Sequence, residues 1–134
     1  MRLVIIGSNP SVQSPDKTAF SVHTRSGKTI REWFSVVPDA IYVNVSDEPT
    51  PGNRAMKTSE VRGFLGTLMV KLEGADGVVT VGGTAAKAIT MLKDKISCPI
   101  LQLGHPSGRC RRWNSEEERR ARCEAVSKFL SKLN

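Results

Sequence analysis

The chain has few cysteines, few aromatic residues and no long hydrophobic run. Its three cysteines, Cys98, Cys110 and Cys123, are odd in number and include no Cys-x-x-Cys spacing, so they indicate neither a disulfide framework nor a four-thiolate metal site. No apolar stretch approaches the roughly 20 residues that cross a bilayer, and the N-terminal one is too short for a secretion signal. We therefore expect three free thiols in an intracellular, cytoplasmic protein that does not insert into a membrane.

Acidic residues are also in short supply. Thirteen Asp and Glu stand against twenty Lys and Arg, which leaves a formal charge of +7 and a pI near 9.7. This excess suits a polyanionic partner such as a nucleic acid, since neutralised phosphates release condensed counterions. Most basic residues are interspersed with acids, but Arg109, Arg111 and Arg112 lie between His105 and Trp113 with no acid among them. Composition alone does not separate DNA from RNA.

The rest of the composition is that of one globular domain. With 134 residues, 39% of them apolar, the chain can bury a core without crosslinks, and no linker or repeat divides residues 1–134. Four runs rich in aliphatic residues predict strands at 3–7, 40–45, 77–82 and 99–103. Four segments predict helices, which begin near Ser26, near Thr58, at a cap on Thr84, and at a capping box of Ser115 and Glu118. The first helix carries its apolar face on Ile30, Trp33, Phe34 and Val37 and ends at Pro38.

Strands and helices alternate four times along the chain. This order predicts an α/β fold with a four-stranded, largely parallel sheet, right-handed crossovers and helices on both faces. In such sheets ligands bind outside the carboxyl ends of the strands. We therefore expect the loops after the first, second and fourth strands to bring Asn9, Asn44 and His105 within reach of one small ligand.

Each polar or aromatic candidate has a plain structural interpretation beside the functional one. Asn44, at the end of an apolar strand, is either a satisfied structural amide or a ligand-reading one. Phe20 is either a loop anchor or a stacking surface, and His105 is either an exposed loop residue or a ligand contact. The sequence Gly82-Gly83-Thr84 lacks both the three-glycine fingerprint and the Walker lysine, so close packing is favoured there over a phosphate loop.

Taken together, these segments resemble the uracil-DNA glycosylase superfamily along nearly the whole chain. Gly7-Ser8-Asn9-Pro10-Ser11 is similar to the Gly-x-Asn-Pro-Gly motif of the mismatch-specific uracil/thymine glycosylases, whose Asn positions the hydrolytic water. Phe20, followed by Ser26-Gly27-Lys28, is similar to the segment of the iron–sulfur bacterial family in which a Phe stacks on uracil.

The later motifs extend the resemblance. Tyr42-Val43-Asn44-Val45 with Pro51-Gly52-Asn53-Arg54 resembles the strand and loop whose Asn reads the uracil edge, and Val78-Val79-Thr80-Val81-Gly82 with Ala85-Ala86 resembles the third strand and its helix. Gly104-His105-Pro106-Ser107 resembles the motif that supplies a uracil-contacting His and inserts a loop into DNA.

The resemblance implies a role for each matching residue. Asn9 and His105 would be catalytic. The uracil would be held by Gly7, Ser8, Phe20 and Asn44. DNA would be contacted by Ser11, Ser107, Gly108, Arg109, Arg111 and Arg112.

Three departures from the family patterns qualify these roles. The iron–sulfur cysteines are absent, so we expect no cluster, no other metal and no cofactor. Ser8 and Asn9 stand where some families place an acidic water-activating residue. No lysine stands in the pocket motifs, so hydrolysis without a Schiff-base lyase step is expected.

Three hypotheses follow. The protein is a monofunctional uracil-DNA glycosylase, a related enzyme for another pyrimidine such as hydroxymethyluracil or mismatched thymine, or a non-catalytic DNA-binding protein that retains the fold. Tyr42 lies two residues before Asn44 on the same strand face, but sequence does not show whether anything blocks C5 of the base. We expect a monomer that binds double- or single-stranded DNA, and the short chain with mixed motifs suits a phage or mobile-element member of the family.

Overall fold

Four parallel strands form one sheet in the order β2-β1-β3-β4 in the computed structural model, which describes residues 1–9, 18–104 and 116–133. The strands are β1 (Leu3–Gly7), β2 (Ile41–Asn44), β3 (Gly77–Val81) and β4 (Ile100–Leu103). β1 and β3 are buried along their whole length because each pairs on both sides and is covered on both faces. The predicted parallel α/β fold is confirmed.

Four helices cover the two faces of the sheet. They are α1 (Arg25–Trp33), α2 (Thr58–Lys71), α3 (Gly83–Met91) and α4 (Glu116–Leu133), with 3-10 turns at Pro51–Asn53 and Lys93–Lys95. One core joins β1, β2 and β3 to α2 and α3 through Val4, Ile6, Val45, Val61, Leu68, Val78, Ala85 and Ile89. The other joins β1, β3 and β4 to α1 and α4 through Leu3, Ile5, Ile30, Phe34, Val79, Val81, Leu103, Val126 and Phe129.

The chain leaves β1 and β3 toward opposite faces, which positions the candidate site. The segment after β1 leads to α1 on one face, and Gly82 leads into α3 on the other. Adjacent parallel strands whose connections diverge in this way leave a crevice at their carboxyl ends.

Helix boundaries differ from expectation in two places. α1 ends at Trp33 rather than near Pro38, because the chain turns at Phe34, although Phe34 and Val37 still reach the core. The predicted cap at Thr84 is wrong: the N-cap is Gly82, two residues earlier, at a φ of 92°, and α3 begins at Gly83. That left-handed φ favours glycine. The prediction of close packing at Gly83 is also wrong, since a Cβ there would meet nothing within 4 Å.

Three further predictions concern the start of the last helix, the cysteines and the absence of membrane-spanning helices. Ser115, the predicted cap of the last helix, lies outside the described residues, while α4 packs Val126 and Phe129 inward. Cys98 and Cys123 are free thiols, and burial raises the pKa of Cys98; Cys110 lies outside the described residues. Within the part of the chain described, no helix combines the length and apolarity that crossing a bilayer requires.

A bidentate ion pair fastens the loop after β2 to the start of α2. Arg54 Nη1 and Nη2 donate to Glu60 Oε1 and Oε2 at 2.7 and 3.1 Å, and the Lys57 backbone N–H also donates to Glu60 Oε1 at 2.8 Å. The Arg54 hydrogen bonds, followed by the Lys57 backbone bond, lower the pKa of Glu60 to about 2. The ionised carboxylate is therefore the form that stabilises this helix start.

We predict that Glu60→Gln destabilises the fold in a pH-dependent way. The folded-state pKa of about 2 lies below the value of about 4.3 for an unfolded glutamate, so the contribution is fully present above that value and is lost as the pH falls toward 2. Denaturant unfolding of both proteins should show the largest difference at pH 7 and a shrinking one from pH 5 downward. Glu73→Gln, which changes an exposed carboxylate with no ion pair to a described residue, is the control. A difference that is the same at every pH would contradict the prediction.

Candidate functional site

The ends of β1 and β2 are joined beyond the sheet itself. Gly7 pairs with Asn44 in the parallel register, and the ladder continues with Val45 N–H donating to Gly7 O at 2.9 Å and Ser46 N–H donating to Ser8 O at 3.0 Å. These bonds fix the two loops that leave the strands relative to each other. The edge therefore presents Gly7 and Asn44 side by side.

Gly7 is the point of closest approach in this edge. A Cβ on Gly7 would lie 2.8 Å from Asn44 Oδ1 and 2.9 Å from Phe20 Cζ, distances that no relaxed structure tolerates. Glycine is needed here because the amide and the aromatic ring occupy the space above its Cα. Three residues far apart in sequence thus converge on one spot.

The side-chain amide of Asn44 forms no hydrogen bond with a described residue. Asn44 is only 6% exposed, and no described residue donates to or accepts from its side-chain amide. Among the described residues, full burial without a partner is found at Thr80 Oγ1 and not at the Asn44 amide, so the amide atoms remain accessible to a ligand that offers a donor and an acceptor. The described residues do not satisfy this amide, and the ligand-reading interpretation of Asn44 stays a prediction.

The backbone of Asn44 is held from α2. Lys71 Nζ donates to the Asn44 carbonyl oxygen at 3.0 Å and forms an ion pair with Asp47 Oδ1 at 3.0 Å. The lysine side chain is 20% exposed, whereas Asp47 is largely in solvent. Lys71 therefore fixes the end of β2 without touching the free amide.

Phe20 reaches the site from a turn built against α1. Ser21 O accepts from both the backbone N–H and the hydroxyl of Thr24, at 3.1 and 3.0 Å, and Thr24 Oγ1 in turn caps α1 by accepting from Gly27 N–H at 3.1 Å. A Cβ on Gly27 would collide with the Ser21 carbonyl oxygen, so α1 packs directly on the turn. The turn places the half-buried Phe20 ring above Gly7.

Tyr42 supports Phe20 from within the sheet. The two rings meet edge to face with centroids 5.8 Å apart, and the Arg31 guanidinium lies 4.2 Å from the centroid of the Tyr42 ring. Burial raises the pKa of Tyr42, and the Arg31 charge partly opposes that rise. Tyr42 is therefore a neutral phenol at neutral pH whose described ring contacts are with Phe20 and Arg31.

Asn9 is oriented by the two loops. Its Nδ2 donates to Glu48 O and Thr50 Oγ1, each at 3.4 Å, while its Oδ1 accepts from Ser8 Oγ at 2.8 Å. A main-chain carbonyl can only accept, so the contact with Glu48 O identifies the nitrogen end of the amide. The carboxamide oxygen has a second lone pair with which it can orient a water molecule.

Several predicted site residues lie outside the described residues. These are His105, Ser11, Ser107, Gly108, Arg109, Arg111 and Arg112. Of the others, the structure brings together Gly7, Phe20 and Asn44, with Ser8 and Asn9 on the adjoining loop. Sequence reasoning missed Arg31, Thr50 and Lys71, because each acts through contacts 11 to 41 residues away and carries no local motif.

The family model described as the uracil DNA glycosylase superfamily matches residues 1–134. No curated protein matches the chain.

We predict that Gly7→Ala and Gly66→Ala change stability in opposite directions. The Gly7 methyl group must displace Asn44 or Phe20, and because the half-buried ring can move aside we expect a loss of about 1 kcal/mol, the lower end for overpacking. Gly66 lies inside α2, where a Cβ would meet nothing within 4 Å, so its replacement should add roughly 0.5–1 kcal/mol. Denaturant unfolding measures both, and NMR signals of Phe20 and Asn44 should shift only in Gly7→Ala. A stabilising Gly7→Ala would contradict the close approach.

Proposed function

The chain belongs to the uracil-DNA glycosylase superfamily, and from that premise we propose that it hydrolyses the N-glycosidic bond of uracil flipped out of DNA. Membership supports a glycosylase-type function on a DNA substrate; uracil as the base and hydrolysis without a lyase step are our proposal. The observation that carries it is the side-chain amide of Asn44, which belongs to a 6% exposed residue, has no hydrogen bond to a described residue and lies beside the Phe20 ring above Gly7. We also propose that the protein acts as a cytoplasmic monomer and without a cofactor.

Asn44 is proposed to read the pairing edge of the base. Its amide can donate to O4 and accept from N3–H of uracil, whereas cytosine presents the reverse pattern and would leave buried groups unpaired. Stacking on Phe20 would add about 1–3 kcal/mol without distinguishing among bases. The proposal thus assigns recognition of the pairing edge to Asn44 and stacking on the base to Phe20.

Hydrolysis needs the C1′–N1 bond to break and a water oxygen to bond to C1′. The bonding electron pair leaves with N1 of the uracil, and the resemblance assigns His105 to donate a hydrogen bond to O2, where the negative charge develops. Asn9 orients the water through Oδ1, since an amide cannot take up a proton as a carboxylate can. The water's proton then passes to solvent or to the departing base.

An oligonucleotide panel tests the proposal. Duplex and single-stranded DNA carrying one uracil, thymine mismatched with guanine, or hydroxymethyluracil is incubated with the protein, and abasic sites are revealed by alkaline cleavage. We expect cleavage at uracil and release of the free base, identified by mass spectrometry. Cleavage only at hydroxymethyluracil or mismatched thymine would overturn the choice of base, and binding without cleavage would overturn catalysis.

We predict that Asn44→Asp weakens uracil excision and gains activity on cytosine. A carboxyl group changes the donor and acceptor pattern that faces the base, so the preference for uracil over cytosine should fall. Single-turnover rates on two oligonucleotides that differ only in carrying uracil or cytosine measure this preference. Gln102→Glu, the same exchange at an exposed position of β4, is the control for the added charge. An unchanged preference would remove Asn44 from the reading role.

We predict that Asn9→Ala lowers single-turnover cleavage at least tenfold, or about 1.4 kcal/mol, while DNA binding is retained. The amide is proposed to orient the water, which matters in the chemical step and not in association. Ser8→Ala removes only the hydroxyl that donates to Asn9 and should have a smaller effect. Equal losses of binding and cleavage in Asn9→Ala would assign Asn9 a structural role.

A further inference from the structure

Phe20 holds an unfavourable backbone conformation. Its φ of 51° makes it the single non-glycine residue with a positive φ among residues 1–9, 18–104 and 116–133. Side chains larger than hydrogen disfavour this region, and such conformations persist only where surrounding contacts enforce them. The contacts that enforce this one identify what keeps the ring above Gly7.

Arg31 binds the backbone on both sides of the strained residue. Its Nε donates to Phe20 O at 2.6 Å and its Nη2 donates to Ala19 O at 3.1 Å. These are charge-assisted bonds from a planar group whose donors stand in a fixed fork. Two successive carbonyls are thereby aligned by one rigid side chain.

The same guanidinium also touches the ring that supports Phe20. It lies 4.2 Å from the centroid of Tyr42, and Tyr42 packs edge to face with Phe20. Arg31, Phe20 and Tyr42 therefore form a closed set of three mutual contacts, which we call the Arg31 clamp. Arg31 itself is half-buried in α1 on the face of the sheet that carries the site.

We propose that Arg31 is a positioning residue that holds the Phe20 ring preformed above Gly7, so that a flipped base meets a ready stacking surface. This inference rests on the proposed function and goes beyond it, because Arg31 acts through Phe20 and need not touch DNA. Preorganisation of this kind removes the entropy of ordering the turn from the binding step. Loss of the clamp should therefore lower the rate of cleavage at the flipped base more than it lowers the affinity for duplex DNA.

Arg31→Lys is the informative substitution because it keeps the charge and removes the fork. A lysine is a point charge that cannot align two carbonyls and stack its plane on Tyr42 at once. We expect the maximal single-turnover rate on uracil-containing duplex to fall about tenfold, with binding of undamaged duplex within twofold of wild type. Arg62→Lys, at an exposed position of α2, is the matched control and should change neither.

A double-mutant cycle separates positioning from a general structural effect. Phe20→Leu removes the aromatic face, so in that background Arg31→Lys should change the rate by less than twofold. If the double variant loses rate by the product of the two single losses, the two residues act independently and the proposal is overturned. A tenfold loss of duplex binding by Arg31→Lys would also overturn it. Arg31→Gln, which removes the charge and also lacks the guanidinium fork, serves as the second variant if Arg31→Lys does not fold.

A measurement without substrate keeps this test independent of the proposed function. The NMR order parameter and the backbone coupling constant of Phe20 report its mobility and its φ in the free protein. We expect Arg31→Lys to lower the order parameter and move the coupling toward an averaged value, with Arg62→Lys like wild type. An unchanged Phe20 would overturn the clamp, whereas a wild-type protein that cleaves no oligonucleotide would overturn the proposed function alone.

Discussion

The site depends on the missing side chain at Gly7. Because nothing projects from this residue, Asn44 Oδ1 and the edge of the Phe20 ring can share the space over the end of the central strand. The parallel register supplies the other half of the constraint, since it sets Gly7 opposite Asn44. A slip of one residue would replace the amide with an aliphatic side chain and turn the remaining strand residues to the wrong core.

The surrounding loops are secured to α2 at both of its ends. At its start, Glu60 holds Arg54, the Arg54 carbonyl accepts from Thr50, and Thr50 accepts from Asn9. At its last residue, Lys71 reaches the carbonyl of Asn44 and the carboxylate of Asp47. One helix thus couples the position of Asn9 to that of Asn44, although neither residue belongs to it.

Sequence patterns predicted the architecture because local composition determines it. The uninterrupted aliphatic run predicts β1 without reference to any other segment, and the helix predicted to begin near Thr58 does begin there. The end of α1 was missed because Phe34 remains buried after the helix stops. Whether the amide of Asn44 is satisfied was undecidable, since its potential partners come from other segments. Arg31 and Lys71 look like surface residues of ordinary helices until the fold brings carbonyls to them.

The left-handed backbone of Phe20 has a consequence for how this position can vary through evolution. Glycine would relax the backbone but remove the ring, and asparagine tolerates the conformation without offering an aromatic face. A β-branched residue meets neither requirement. Half-exposed turns usually drift freely in sequence, yet here two opposed demands meet in one residue. Substitutions at position 20 should therefore be confined to other aromatic residues, and even these should be accepted only while residue 31 still supplies both of its backbone hydrogen bonds.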